Sequence, residues 1–94
     1  MTIRWTAEAQ HALESIFAFV SERNEAAAWS LIRGILASVE RLTDYPQAGR
    51  TGRVSGTREL VLATTPYIVV YRIQRDEIQV LAVLHASRRW PASL

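Results

Sequence analysis

TRELVLATTPYIVVYRIQRDEIQVLAVLHA, Thr57 to Ala86, is the stretch that decides the fold. It is rich in Val, Ile, Leu and Tyr and is interrupted at Thr64-Thr65-Pro66 and at Gln74-Arg75-Asp76, where polar residues and a proline break the apolar runs. This punctuation predicts three antiparallel strands. In the middle run, Tyr67, Val69, Tyr71 and Ile73 point one way while Ile68 and Val70 point the other, because side chains alternate along a strand. A strand that is apolar on both faces belongs at the centre of a sheet.

Upstream, Thr2 to Trp5 alternates and suits a short edge strand. Thr6 is a good N-cap for a helix whose apolar stripe contains Ala9, Leu13, Ile16, Phe17 and Val20. Asn24 caps a second helix, from Glu25 to about Thr43, with Ala28, Leu31, Ile32, Ile35, Val39 and Leu42 along one side. Trp29 and Leu36 lie about 90° round from that stripe if each residue turns ~100°. They either broaden the core contact, the favoured reading, or form a docking ledge for another helix. Short connections force the helices into an antiparallel hairpin.

Pro46 ends the second helix, and Gln47–Gly56 (QAGRTGRVSG) reads as a flexible basic connector. Its glycines match neither a dinucleotide fingerprint nor a phosphate loop. The competing reading is an anion-binding nest around Arg50 and Arg53. The expected fold is therefore α+β: an N-terminal strand and a helical hairpin packed on one face of a small, mostly antiparallel sheet, with residues 1–94 forming a single domain.

Composition narrows the chemistry. The 94 residues include no cysteine, and all 11 basic residues other than histidine are arginine. Disulfides, thiol nucleophiles, cysteine metal sites and lysine chemistry are thereby excluded, and the reading contains no metal and no cofactor. General-base candidates reduce to His11, His85, carboxylates and tyrosines. No apolar run approaches the ~20 residues that span a bilayer, and the N-terminus lacks the pattern of a secretory signal, so a cytoplasmic location and no membrane partner are expected. The net charge of +2 is unevenly placed, with Arg50, Arg53, Arg58, Arg72, Arg75, Arg88 and Arg89 facing only Glu59, Asp76 and Glu77 in the second half. Such a surface suits phosphate and acidic protein equally.

Two helices cover one face of the sheet and leave the other without an evident cover. Val61, Ile68 and Val70 share that second face and are read as an apolar surface awaiting a partner. The competing reading is that strand curl and the C-terminal tail, through Trp90, hide them.

The helical hairpin, Leu42-Thr-Asp-Tyr-Pro-Gln-Ala-Gly-Arg50, the Gly56-Thr-Arg-Glu-Leu60 lead into the sheet, Tyr67-Ile-Val-Val-Tyr-Arg72 and Val83-Leu-His-Ala-Ser-Arg-Arg-Trp-Pro91 together resemble the RelE/ParE superfamily of toxins from type II toxin-antitoxin systems. Two activities are implied by that resemblance. RelE-like members cleave messenger RNA on the ribosome, and ParE-like members poison DNA gyrase. Where RelE-like ribonucleases carry lysines and an arginine on the uncovered sheet face, this chain places Glu59, Val61 and Ile68. Arg88 alone matches a further ribonuclease arginine, and a guanidinium stays protonated and is no general base. A histidine–glutamate pair, His85 with Glu59 or Glu77, is the remaining ribonuclease constellation.

The ParE-like branch is therefore favoured. Its implied partners are a cognate antitoxin and, by resemblance alone, DNA gyrase, with the ribosome and messenger RNA in the ribonuclease alternative and a non-catalytic interaction module as a third reading. The residues expected to contact partners are Arg58, Val61, Ile68, Val70, Arg72, Arg88, Arg89 and Trp90, with Trp29 and Leu36 on the helical layer. Arginine and tryptophan are frequent interface anchors. The expected catalytic set is empty, with His85, Arg88 and Glu59 as its weakest-supported candidates.

Overall fold

Strand β1 (Thr2–Trp5) leads directly into helix α1 (Ala7–Ser21) in a computed structural model that describes residues 1–91 and 94. Thr6 joins the two. Its hydroxyl accepts from the Ala9 amide at 3.2 Å and donates to the Val80 carbonyl at 2.9 Å, so the helix cap is also tied to the sheet. Helix α2 (Glu25–Glu40) starts at Asn24, whose Oδ1 accepts from the Ala27 amide, and ends in a 3₁₀ turn at Arg41–Thr43. The single continuous helix expected to about Thr43 thus tightens in its last turn, a common way to satisfy terminal carbonyls.

Four strands follow: β2 (Arg50–Thr51), β3 (Arg58–Val61), β4 (Tyr67–Gln74) and β5 (Glu77–His85). The sheet order is β1-β5-β4-β3-β2, with β1 parallel to β5 and the other pairs antiparallel. β4 is central, as its two apolar faces require. The two-residue β2 lies inside the stretch expected to be a plain connector, held by register pairs Arg50↔Glu59 and Thr51↔Arg58. The β4–β5 turn places Arg75 at φ 57°, a left-handed conformation that a non-glycine residue adopts at some cost.

The helices pack on the sheet face that carries Val69, Tyr71, Ile78, Val80 and Val83, and Ala9, Ile16, Ile35, Val39 and Leu42 complete this core. Tyr67, Ile73, Ile3 and Trp5 pack at its margin. A register shift between Val70 and Tyr71 pairs Val70 with Ala82 and Tyr71 with Val80, so Leu81 is the extra residue of a bulge.

Tyr71 is fully buried, and its hydroxyl ties the core to the loop after α2. The hydroxyl donates to the Pro46 carbonyl at 2.7 Å and accepts from the Gly49 amide at 2.9 Å. A Cβ on Gly49 would lie 2.7 Å from the Tyr71 ring and hydroxyl, which explains the glycine at this point of close approach. Burial raises the phenol pKa, partly opposed by the Gly49 amide and by Arg58, so the hydroxyl stays protonated and can donate. Replacing it strands the buried Gly49 amide and the part-buried Pro46 carbonyl. Tyr71→Phe is expected to cost about 1–3 kcal/mol, read as a lower urea midpoint with unchanged slope.

Candidate partner-binding surface

The outer face of the sheet, opposite the helices, divides into two regions. At one end, Arg72 Nε donates to Gln79 Oε1 at 2.6 Å, Gln79 Nε2 to Glu77 Oε1 at 2.7 Å, and Arg4 Nε to the same Glu77 oxygen at 3.2 Å. Cross-strand pairs Arg4↔Gln79 and Arg72↔Gln79 place these side chains side by side. Arg72, expected to be a partner contact, is engaged in this ladder.

At the other end lie Glu59, Val61, Ile68 and Val70. The exposure expected for the two β4 residues is corrected: Ile68 is 3% exposed and Val70 0%. Only Val61, at the sheet margin, remains open to solvent, at 52%. The cause is a return of the chain over this face. Glu59, the register partner of Val70, is 2% exposed and binds two arginines from the β2–β3 segment. Arg50 reaches Glu59 Oε1 at 3.0 Å, while the Arg53 amide and Nε reach Oε2 at 2.8 and 3.2 Å. Trp90 from the tail then stacks on the Arg53 guanidinium, 3.6 Å from centroid to Cζ. Ile68 and Val70 are thus covered within the chain, on the face where Glu59 gathers Arg50 and Arg53 and Trp90 stacks on Arg53.

Glu59 has no spare capacity for chemistry. Burial by itself raises its pKa, but the Arg53 amide and the Arg50 and Arg53 guanidiniums outweigh it and hold the carboxyl below its ordinary value. His85 sits elsewhere. Its register partner is Tyr67, against whose ring it packs edge-on at 5.5 Å, on the helix side of the sheet. Its Nδ1 meets the Ser87 amide at 3.2 Å and the Ser87 hydroxyl at 2.7 Å, which makes it a cap for the chain leaving β5. His85 and Glu59 therefore occupy opposite faces, and Glu77 lies at the far end of β5 from His85. The structure brings neither carboxylate to the histidine, so the acid–base pair of the ribonuclease alternative is not assembled.

The remaining arginines differ in freedom. Arg58 Nη1 donates to the Gly49 carbonyl at 2.8 Å and braces the loop that Tyr71 holds. Arg88 and Arg89 are exposed and line an 800 Å³ cleft with Phe19, Tyr67, Leu84 and His85. Trp29 is 50% exposed and meets Phe17 of α1 edge-on at 4.6 Å, and Leu36 on the same helix is also exposed. Trp29 thus contributes to the helix–helix contact and still presents apolar surface.

One surface had no signal in the sequence. Between α2 and the margin of β3 runs a groove of about 500 Å³ whose lining includes Leu31, Gly34, Ile35, Leu42, Leu60 and Val61. Among the described residues, Arg41 is its sole charged lining residue. β2 pairs only with Arg58 and Glu59. Since the Leu62 amide donates inward to the Tyr67 carbonyl, the alternating backbone of Val61 faces outward along an uncovered strand edge. Nothing lies within 4 Å of a Cβ built on Gly34, which leaves the helix side of the groove open.

A model of the ParE toxin of type II toxin-antitoxin systems matches residues 3–90. The chain belongs to the ParE toxin family. It is 45% identical over 92 residues to Y4kP of Sinorhizobium fredii, a protein named as a toxin, with 98% of this chain and 95% of the relative covered. Among solved structures, a chain of the chromosomal ParDE toxin-antitoxin system of P. aeruginosa superimposes with a TM-score of 0.78 at 29% identity, covering 88% of this chain and 92% of that one. The ParE-type α+β fold is thus shared along nearly the full length. The chain is a ParE-type toxin of a type II toxin-antitoxin system. Among the described residues no helix is long and apolar enough to cross a membrane.

The pKa direction of Glu59 carries a stability consequence. A carboxyl held below its unfolded value of ~4.3 stabilises the fold above that pH, and the contribution disappears as pH falls through the folded-state value. Because both arginines are about half exposed, solvent screens part of the interaction. Glu59→Gln is expected to cost about 1–3 kcal/mol at pH 7. In urea titrations from pH 7 to 3, the gap between wild type and variant should narrow below pH ~4.

Proposed function

We propose that this ParE-type toxin acts by binding and poisoning DNA gyrase, stabilising the cleaved DNA–gyrase intermediate, and that a cognate antitoxin neutralises it. The observation that carries the reading is the dispersal of the acid–base candidates. His85 caps a chain end on one side of the sheet, and Glu59 is saturated by arginines on the other. Ribonuclease chemistry needs a base and an acid converging on one phosphodiester, whereas trapping an enzyme–DNA complex needs only a shaped, charged surface. Arg88, Arg89 and Trp90 at the tail are the proposed target contacts, with Arg58 and Arg72 as supports. Supercoiled plasmid incubated with gyrase and purified toxin should accumulate linear product, and induction in cells should trigger the DNA-damage response. Primer extension on messenger RNA provides the opposing readout: in-frame cuts abolished by His85→Ala or Arg88→Ala would establish the ribonuclease instead.

The groove beside α2 is the proposed seat of the antitoxin. Aliphatic walls suit the apolar face of a folding segment, the open edge at Val61 can receive an added strand, and Arg41 can meet an acidic side chain. Gly34→Leu tests this without attacking the core, since the space is empty and leucine is the better helix former. When co-expressed with a cognate antitoxin, wild-type toxin should copurify as a complex. Gly34→Leu should weaken that complex by at least about tenfold, equivalent to ~1.4 kcal/mol, while its thermal unfolding stays unchanged or moves upward.

A further inference from the structure

We propose that the Glu59–Arg53–Trp90 stack is a clasp that holds the C-terminal segment closed over the outer face of the sheet and fixes where Arg88 and Arg89 are presented. The segment is anchored at both ends. At its start, the Ala86 amide donates to the Pro66 carbonyl at 2.8 Å, the Arg88 amide to the His85 carbonyl at 3.0 Å, and Ser87 engages His85 Nδ1. At its end, the Trp90 ring lies on Arg53. Arg53 is itself oriented by the buried Glu59 carboxylate through both its amide and its guanidinium. Glu59 is thus a positioning residue for the tail, acting through Arg53.

Between the two anchors, Arg88 and Arg89 are exposed and, among the described residues, make no ion pair. The first anchor is built from ordinary hydrogen bonds along the backbone. The second depends, among the described residues, on one cation–aromatic contact, and the buried Trp90 Nε1 has no hydrogen-bond partner among those residues. A buried donor left unpaired opposes closure, so the second anchor is the one that opens. Opening it frees the Trp90 indole from Arg53 and from the outer face that Glu59 shares with Val70 and Ile68.

The test uses the full chain alone, so its outcome does not depend on the toxin's target. Labelling with 5-fluorotryptophan gives fluorine NMR resonances for Trp5, Trp29 and Trp90, with Trp90 assigned by its loss in Trp90→Phe. In Arg53→Gln, the Trp90 resonance should move to the position of free fluorotryptophan and sharpen, while Trp5 and Trp29 stay in place. Binding of the apolar dye ANS should rise several-fold. Arg53→Lys keeps a cation over the ring and should restore part of the Trp90 shift. An unmoved Trp90 resonance in Arg53→Gln, or unchanged dye binding, would overturn the clasp. Should Arg53→Gln displace Trp5 as well, signalling a damaged core, Trp90→Ala decides. Raised dye binding with Trp5 and Trp29 in place supports the clasp, and no rise defeats it.

Discussion

The buried carboxylate of Glu59 is the constraint on which the outer half of the structure depends. A carboxylate withdrawn from water is costly unless charged donors replace the lost hydration. Arg50 and Arg53 supply them, and both come from a segment that must therefore lie alongside β3. β2 exists because Arg50 pairs in register with Glu59, and the loop after it is drawn over the sheet because the Arg53 amide also serves the carboxylate. Trp90 in turn uses Arg53 as a platform. One acidic side chain thus organises the short strand, the basic loop and the tail.

This arrangement changes what the outer face offers to a partner. An exposed Val61–Ile68–Val70 patch would have been a flat apolar surface, the kind soluble proteins usually cover. Two of the three residues are covered within the chain, and the accessible features are of other types. Arg88 and Arg89 are exposed at the tail, the Arg72–Gln79–Glu77–Arg4 ladder presents a satisfied polar surface, and the groove at α2 exposes aliphatic walls beside an open strand edge. The charge that favours contact with an anionic target and the apolar surface that suits a folding peptide are thereby separated onto different parts of the molecule. Family membership rests on the match along residues 3–90 and on the related fold.

Much of the architecture was legible because its causes are local. Thr6 and Asn24 cap helices through bonds to residues three positions on, and the helical stripes and strand alternation follow from backbone periodicity. Turn residues at Thr64–Pro66 and Arg75–Asp76 mark the strand ends for the same reason. Trp29 shows where such reasoning reaches its limit: its angle from the core stripe was correct, yet only the opposing Phe17 decides how much of the ring is covered.

By itself, the sequence determined the order of the elements, the side of each helix that seeks a core, the absence of thiol and lysine chemistry, and the resemblance that family comparison confirms. Tertiary structure alone decided that Ile68 and Val70 are buried, that His85 and Glu59 face apart, and that a groove opens beside β3. The physical reason is distance along the chain. Periodicity reports which way a side chain points, but what meets it there depends on segments far away in sequence, such as Trp90 stacking on Arg53, 37 residues earlier.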